Sequence, residues 1–270
     1  MKGYLLFFSI ILLAVLSILA CTKVVDINLN DSAPKIIIEG SISDQPLSCF
    51  VKLSKTVNYN ELNIFPAVTG SLVTITDNFG NTATLTETTE GIYTAPSFHG
   101  VVGRTYTISI TAEGKTYTAI SIMPDKVTID TIIQESFFMG SLRGGGIIKY
   151  VKIQYLDPAG KNNYYHFVEK INGTINNAIL IDNDLLRDGN TITQEIVRID
   201  PSLQTGDSVI VFLQTIDKGV FDYFAQLSQI TDQGYGGQTA SPANPISNFN
   251  NGALGYFSAY AVRSKAIVIK

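Results

Sequence analysis

Tryptophan is missing from this chain of 270 residues, and histidine and cysteine occur only twice each. Without tryptophan there is no indole platform of the kind that usually stacks on sugars. His99 and His166 are too few for a histidine-based zinc site and have no activated serine beside them in any recognised motif. Neither G-x-S-x-G nor H-E-x-x-H occurs. Gly114-Lys115-Thr116 looks like the end of a phosphate-binding loop, but Ser109 stands where the first glycine belongs. Gly144-Gly145-Gly146 precedes no helical pattern and reads as a loop tip. Asp182-Asn183-Asp184 with Asp188-Gly189 comes nearest to a calcium loop. Its spacing is irregular and Thr193 occupies the position of the closing glutamate, so it reads as a solvated acidic turn. These gaps lead us to expect a protein without enzymatic activity, cofactor or metal.

Charge is scarce as well, at 16% of residues. Removing residues 1–20 would take away one lysine and leave 18 basic residues against 23 acidic ones. That balance argues against nucleic acid or anionic lipid as a partner, since both need concentrated Lys and Arg.

What the chain does have is a greasy start. Lys2 is followed by an apolar run from Tyr4 to Ala20, broken only by Ser9 and Ser17. The run is at the lower limit for a helix crossing a bilayer of about 30 Å. A short basic start, an apolar middle and a small residue before the break describe a signal peptide. The closing Ile18-Leu19-Ala20-Cys21 resembles a bacterial lipobox, in which the thiol receives diacylglycerol and becomes the first residue. The alternative is an uncleaved anchor helix; both place the chain on a membrane. One acyl chain holds weakly and two or more hold stably, each buried methylene adding about 0.8 kcal/mol, so a triacylated (palmitate-type) Cys21 suffices as a tether. Residues 22–33 read as a linker with a reach of about 40 Å. With Cys21 acylated, Cys49 has no disulfide partner, and its alternation with Leu47, Val51 and Leu53 makes it a buried thiol.

From residue 34 to 124 the pattern is short strands and turns. Ile36, Ile38 and Ile42 share a face, and Gly40 marks a bulge. Val73 and Ile75 alternate with threonines before the turn Asp77-Asn78-Phe79-Gly80-Asn81 and the returning Ala83 and Leu85. Tyr106, Ile108 and Ile110 precede a turn at Glu113-Gly114-Lys115, with Tyr117 and Ala119 after it. This predicts an immunoglobulin-like or transthyretin-like β-sandwich. Pro124 ends it as a hinge. Residues 125–270 predict a second β-sandwich-like module. Ile147–Leu156 alternates, Asp157-Pro158-Ala159-Gly160 turns, Tyr164–Ile171 runs back, and Ser208–Ile216 is apolar enough for a central strand. Val220, Tyr223, Phe224, Leu227 and Ile230 predict an amphipathic helix over 218–232 with Asp217 as its cap. Residues 233–252 read as a long loop, and Ala259–Ile269 as the final strand.

Several stretches together resemble one family. They are "IIIEGSISD", "GSLVTITDNFGNTATLTETTEGIYTAP", "GVVGRTYTISITAEGKTYTA", "DPAGKNNYYHF" and "NPISNFNNGALGYFSAYAV". In this order they resemble the Bacteroidota lipoproteins grouped as domain of unknown function 4249, over residues 21–270. The resemblance implies a lipid-anchored outer-membrane protein, often encoded beside TonB-dependent transporters, and brings no catalytic residues with it. We therefore expect an accessory or substrate-capturing partner of such a transporter, with Tyr235, Phe249, Tyr256 and Phe257 as ligand or partner contacts; the alternative for Phe249 to Phe257 is that they pack the final strand into the core. A structural, adhesion or scaffold role in the envelope is the alternative. Neither the ligand nor the exposed membrane face is legible.

Overall fold

The computed structural model describes residues 33–58, 61, 62, 64–140, 146–197, 202–231 and 243–270. Cys21 and Tyr235, two of the expected site residues, lie outside them. The first seven strands are β1 (Ile36–Ser43), β2 (Phe50–Lys55), β3 (Leu72–Asp77), β4 (Thr82–Thr89), β5 (Ile92–Thr94), β6 (Thr105–Ala112) and β7 (Lys115–Ile122). They are linked in the order β1-β2-β5-β4-β3-β6-β7. Strand β4 turns the corner: Thr82–Leu85 pair with β3, and Thr86–Thr89 pair with β5 across a register shift between Glu87 and Thr89. A bulge of this kind lets one strand serve two facing sheets. The result is an immunoglobulin-like sandwich.

Period-two alternation accounts for its core. Val73, Ile75, Tyr106, Ile108, Ile110, Tyr117 and Ala119 point inward, while the intervening threonines line the outer pleat. The β6–β7 hairpin turns on two residues, Glu113 and Gly114, both at positive φ. At the β3–β4 turn the buried Asp77 carboxylate accepts the N–H groups of Phe79 and Asn81, each at 2.9 Å, and the Asn81 side-chain amide at 2.8 Å. Arg104 adds an ion pair at 2.5 Å and lies over the Phe79 ring, 4.7 Å from its centroid. Burial alone would raise the Asp77 pKa, but these hydrogen bonds outweigh it and hold the group at about 2.

The second half contains β8 (Ile129–Met139), β9 (Gly146–Leu156), β10 (Tyr164–Ile171), β11 (Thr174–Ile175), β12 (Leu180–Asn183), β13 (Thr191–Ile196), β14 (Ser208–Ile216), helix α1 (Lys218–Thr231) and β15 (Leu254–Val268). Strands β13, β9 and β8 form a separate sheet in that order. It packs over β10, β14 and β15 around a second core built from Val151, Ile153, Tyr155, Tyr165, Phe167 and Val211 among others. Strand β10 therefore does not run back beside β9. It lies across the core from it, and Tyr155 meets Tyr165 edge to face at 4.9 Å. Alternation predicts a strand but not which sheet it joins. Ser208–Ile216 is central as expected, flanked by β10 and β15. Asp217 caps α1, its Oδ1 accepting the Val220 N–H at 2.9 Å.

One strand belongs to both halves. Leu254–Tyr260 of β15 pair in parallel with Ile37–Ser43 of β1, and Ala261–Val268 pair antiparallel with β14. Its Phe257, Ala259 and Ala261 fill the first core. At the crossover the Asp44 carboxylate accepts the Val262 N–H at 3.0 Å and pairs with Arg263 at 2.7 Å. The edge of β15 that faces β7 is satisfied by side chains. Asn248 accepts the Phe257 N–H at 2.9 Å and donates to the Phe257 carbonyl at 2.8 Å. Ser121 Oγ accepts the Ala259 N–H at 2.8 Å while donating to Asp217. Asn250 exchanges backbone and side-chain bonds with Thr118, and Asn251 donates to the Thr116 carbonyl at 2.7 Å, which covers the otherwise open edge of β7. Residues 34–270 are accordingly one compact unit, with the expected 124/125 boundary separating strands of two cores and not two bodies.

Two glycines make this junction. Gly40 does not mark a bulge, since β1 keeps unbroken register with both neighbours. A Cβ there would come within 3.2 Å of the Phe257 ring, so the missing side chain is the space that ring fills. Gly255 has φ +94 and a Cβ would lie 2.0 Å from the Ile38 carbonyl oxygen. We predict that Gly255→Ala lowers unfolding stability by roughly 3 kcal/mol or more, from strain and clash together. Gly252→Ala also meets positive φ but open space, and should cost about 1–2 kcal/mol. Urea titration of both variants checks the contrast.

Cys49 is a free, buried thiol, and burial pushes its pKa up to about 12. A maleimide should leave it unmodified in the native protein and label it fully in denaturant; mass spectrometry reads the result. For Asp77 the sign is that of a depressed acid: its contribution is complete above its ordinary value of 3.8 and disappears as pH falls through about 2. The stability difference between wild type and Asp77→Asn, measured by denaturant titration, should therefore be constant above about pH 4 and shrink below it.

Candidate functional site

Two groups of polar and aromatic side chains stand out, both in the second half. The first lies under α1. Strand β10 turns Tyr165 and Phe167 into the second core and presents Tyr164 and His166 to the helix. His166 stacks on Phe224 with centroids 4.5 Å apart, and its Nδ1 is 2.8 Å from Gln214 Oε1. Burial lowers the His166 pKa, with the Gln214 bond opposing it, so the ring is neutral at ordinary pH. Tyr164 packs on Phe221 at 5.0 Å. Tyr256 leaves β15 on the face opposite Phe257 and meets Tyr223 at 5.1 Å and Phe224 at 4.9 Å. Burial raises the pKa values of Tyr256 and Tyr223. The cluster fastens the helix to the sheet by aromatic packing.

This placement revises the expected contact residues. Phe249 and Phe257 are in the first core, Phe249 from the segment that seals the gap between β7 and β15 and Phe257 from β15 itself. Both rings are buried there. Tyr256 is half-buried against α1. Tyr235 lies outside the described residues. A run rich in glycine, asparagine and aromatics looks like a recognition loop, yet here its asparagines act as strand partners and its phenylalanines as core.

The second group lies at one end of the second sandwich. Two connections cross there between its sheets. One joins β9 to β10 through Asp157-Pro158-Ala159-Gly160, and the other joins β12 to β13 through Asp184–Asn190. They bond to each other: the Asp157 N–H donates to the Asn190 carbonyl at 3.0 Å and the Asp184 N–H to the Asn163 carbonyl at 3.2 Å. One carboxylate oxygen from each of Asp157, Asp184 and Asp188 lies within 4.8 Å of the other two. Asp157 accepts from the Tyr165 hydroxyl and, at 3.0 Å, from the Gly189 N–H. Asp184 accepts the Asn163 N–H at 2.9 Å, and Asp188 the Gly160 N–H at 2.8 Å. The nearby Arg187 is committed elsewhere, to Asp182 at 2.5 Å and the Asn183 carbonyl at 2.6 Å.

Such a set is made of oxygen donors alone, the chemistry of a hard cation and not of zinc or copper. The acidic stretch 182–188 was visible in the sequence, where its spacing fits no calcium loop. Asp157 was not, because it belongs to a turn on the other connection and meets Asp184 and Asp188 only after the sandwich forms. An Asp-Pro turn followed by an irregular acidic loop is the sole local signal.

No curated protein matches the chain. Among solved structures, it is similar to the two-domain fibronectin type III segment of chicken tenascin, at 15% identity and a TM-score of 0.22, over 67% of this chain and 90% of that one. The family model described as Domain of unknown function (DUF4249) matches residues 22–266, nearly all of the sequence after the greasy start. The chain therefore belongs to the DUF4249 family.

Proposed function

We propose that this chain is a lipid-anchored protein of the bacterial outer membrane that serves as a non-catalytic accessory, capturing substrate for a TonB-dependent transporter. The observation that carries this reading is the leader ending in Ile18-Leu19-Ala20-Cys21, followed by a short linker and a β-sandwich body that begins at Ile36. Two or more acyl chains on Cys21 would hold such a body stably at a membrane. The transporter partnership rests on the family resemblance, and the histidine-poor sequence without a catalytic motif supports binding over turnover. Because Phe249 and Phe257 are core residues, contact with ligand or transporter falls to other surfaces.

Intact-mass analysis of protein extracted from native membranes should show a cleaved chain starting at an acylated Cys21, and Cys21→Ser should release it into the soluble fraction. Purification in mild detergent should recover a TonB-dependent transporter. An uncut, unmodified amino terminus contradicts the anchor. Recovery of envelope proteins without any transporter favours the scaffold or adhesion role.

A further inference from the structure

We propose that Asp157, Asp184 and Asp188 form a calcium site that clamps together the two connections crossing the end of the second sandwich. The inference is independent of the transporter reading and rests on three observations.

The first is geometry. Ligand oxygens around calcium lie at about 2.3–2.6 Å from the ion, so any two of them are separated by up to about 5 Å. The three carboxylates meet that requirement, with all pairs within 4.8 Å. Asp157 comes from one connection and Asp184 and Asp188 from the other, as a clamp requires.

The second is charge. Asp157 is 1% exposed and Asp184 6% exposed, so two carboxylates are held close together away from water. Like charges in such a setting are costly unless a cation neutralises them. Among the described residues the nearby guanidinium is that of Arg187, which is bound to Asp182 and the Asn183 carbonyl. Each carboxylate oxygen has capacity for more than one bond, so the hydrogen bonds that position these groups leave room for an ion.

The third points to a ligand directly. Tyr155 is 0% exposed, and among the described residues its hydroxyl has no hydrogen-bond partner. It lies among the charges of Asp182, Arg187, Asp157 and Asp184, with Asp182 the strongest of them. Asp182 Oδ2 is also buried without a partner among the described residues. Buried polar groups are nearly always satisfied by protein, water or ion. A hydrated cation among these carboxylates supplies what is missing, its water bonding to the Tyr155 hydroxyl and to Asp182.

Calcium fits better than magnesium. Magnesium demands near-ideal octahedral geometry, whereas calcium accepts irregular sets of six to eight oxygens, completed by carbonyls and water. A site with only three carboxylates suits an affinity on the order of 10⁻⁴ M, in the range of extracellular calcium modules.

The test uses the full chain, purified and stripped with a chelator. Calcium should bind once per chain by calorimetry and raise the melting temperature, and equal magnesium should do so much less. Asp188→Asn keeps an oxygen for the Gly160 N–H while removing one of the three charges, and should weaken calcium binding by about tenfold or more. Terbium offers a direct report. Because the chain has no tryptophan, sensitised emission must come from tyrosine, and Tyr155→Phe should reduce it. Calcium should quench that emission by competition. No heat and no thermal shift with millimolar calcium, or wild-type binding by Asp188→Asn, would overturn the site. Terbium emission indifferent to both calcium and Tyr155→Phe would overturn it equally.

Discussion

The architecture depends on the double pairing of β15. Its first half is zipped in parallel onto β1 and its second half antiparallel onto β14, so one strand is a wall of the first sandwich and a member of the second. A strand that changes partners midway leaves backbone groups open on its unused sides. Here they are covered by Asn248 and Ser121 before the crossover and by Asp44 at it. The close approach of β15 to β1 is permitted only because Gly255 has no side chain to meet the Ile38 carbonyl, and Phe257 finds its space over Gly40. Ser121 further ties β7 to Asp217, the cap of α1, so the helix is oriented from the first sandwich as well as from the second.

The aromatic and acidic groups inherit their positions from this frame. With β14 and β15 fixed, β10 turns one face to the second core and the other to α1. Tyr165 therefore reaches Asp157, while His166 stacks on Phe224. The carboxylates sit at the end of the sandwich farthest from local sequence control, on two connections that meet only when both sheets are in place. In the proposed envelope setting, where calcium is available outside the cell, an ion there would lock that end of the body.

The parts of the fold legible in the sequence are those with local causes. Alternation of Val73 and Ile75 with threonines, the Glu113-Gly114 turn, the apolar run of β14 and the 3.6-residue spacing of Val220, Tyr223, Phe224 and Leu227 each carry their own signal. What was not legible is long-range. The parallel partner of β1 lies at the other end of the chain, so the local pattern predicts β15 only from Ala259, whereas the strand starts at Leu254. Gly40 reads as a bulge until the Phe257 ring is placed over it. Phe249 and Phe257 look like loop aromatics until their asparagine neighbours are seen as strand partners. Asp157 and Asp184 share no motif, because a turn residue and a loop residue acquire a common role only through tertiary proximity.

If β15 joins the two cores, they must open together. Native-state hydrogen exchange on the full chain reads this most directly, through the buried amides of β1, β6, β10 and β14. The predicted result is one common opening free energy, equal to that of global unfolding, for the most protected amides of both cores. Two separate values, with the β1–β7 amides and the β9–β14 amides opening independently, would contradict it.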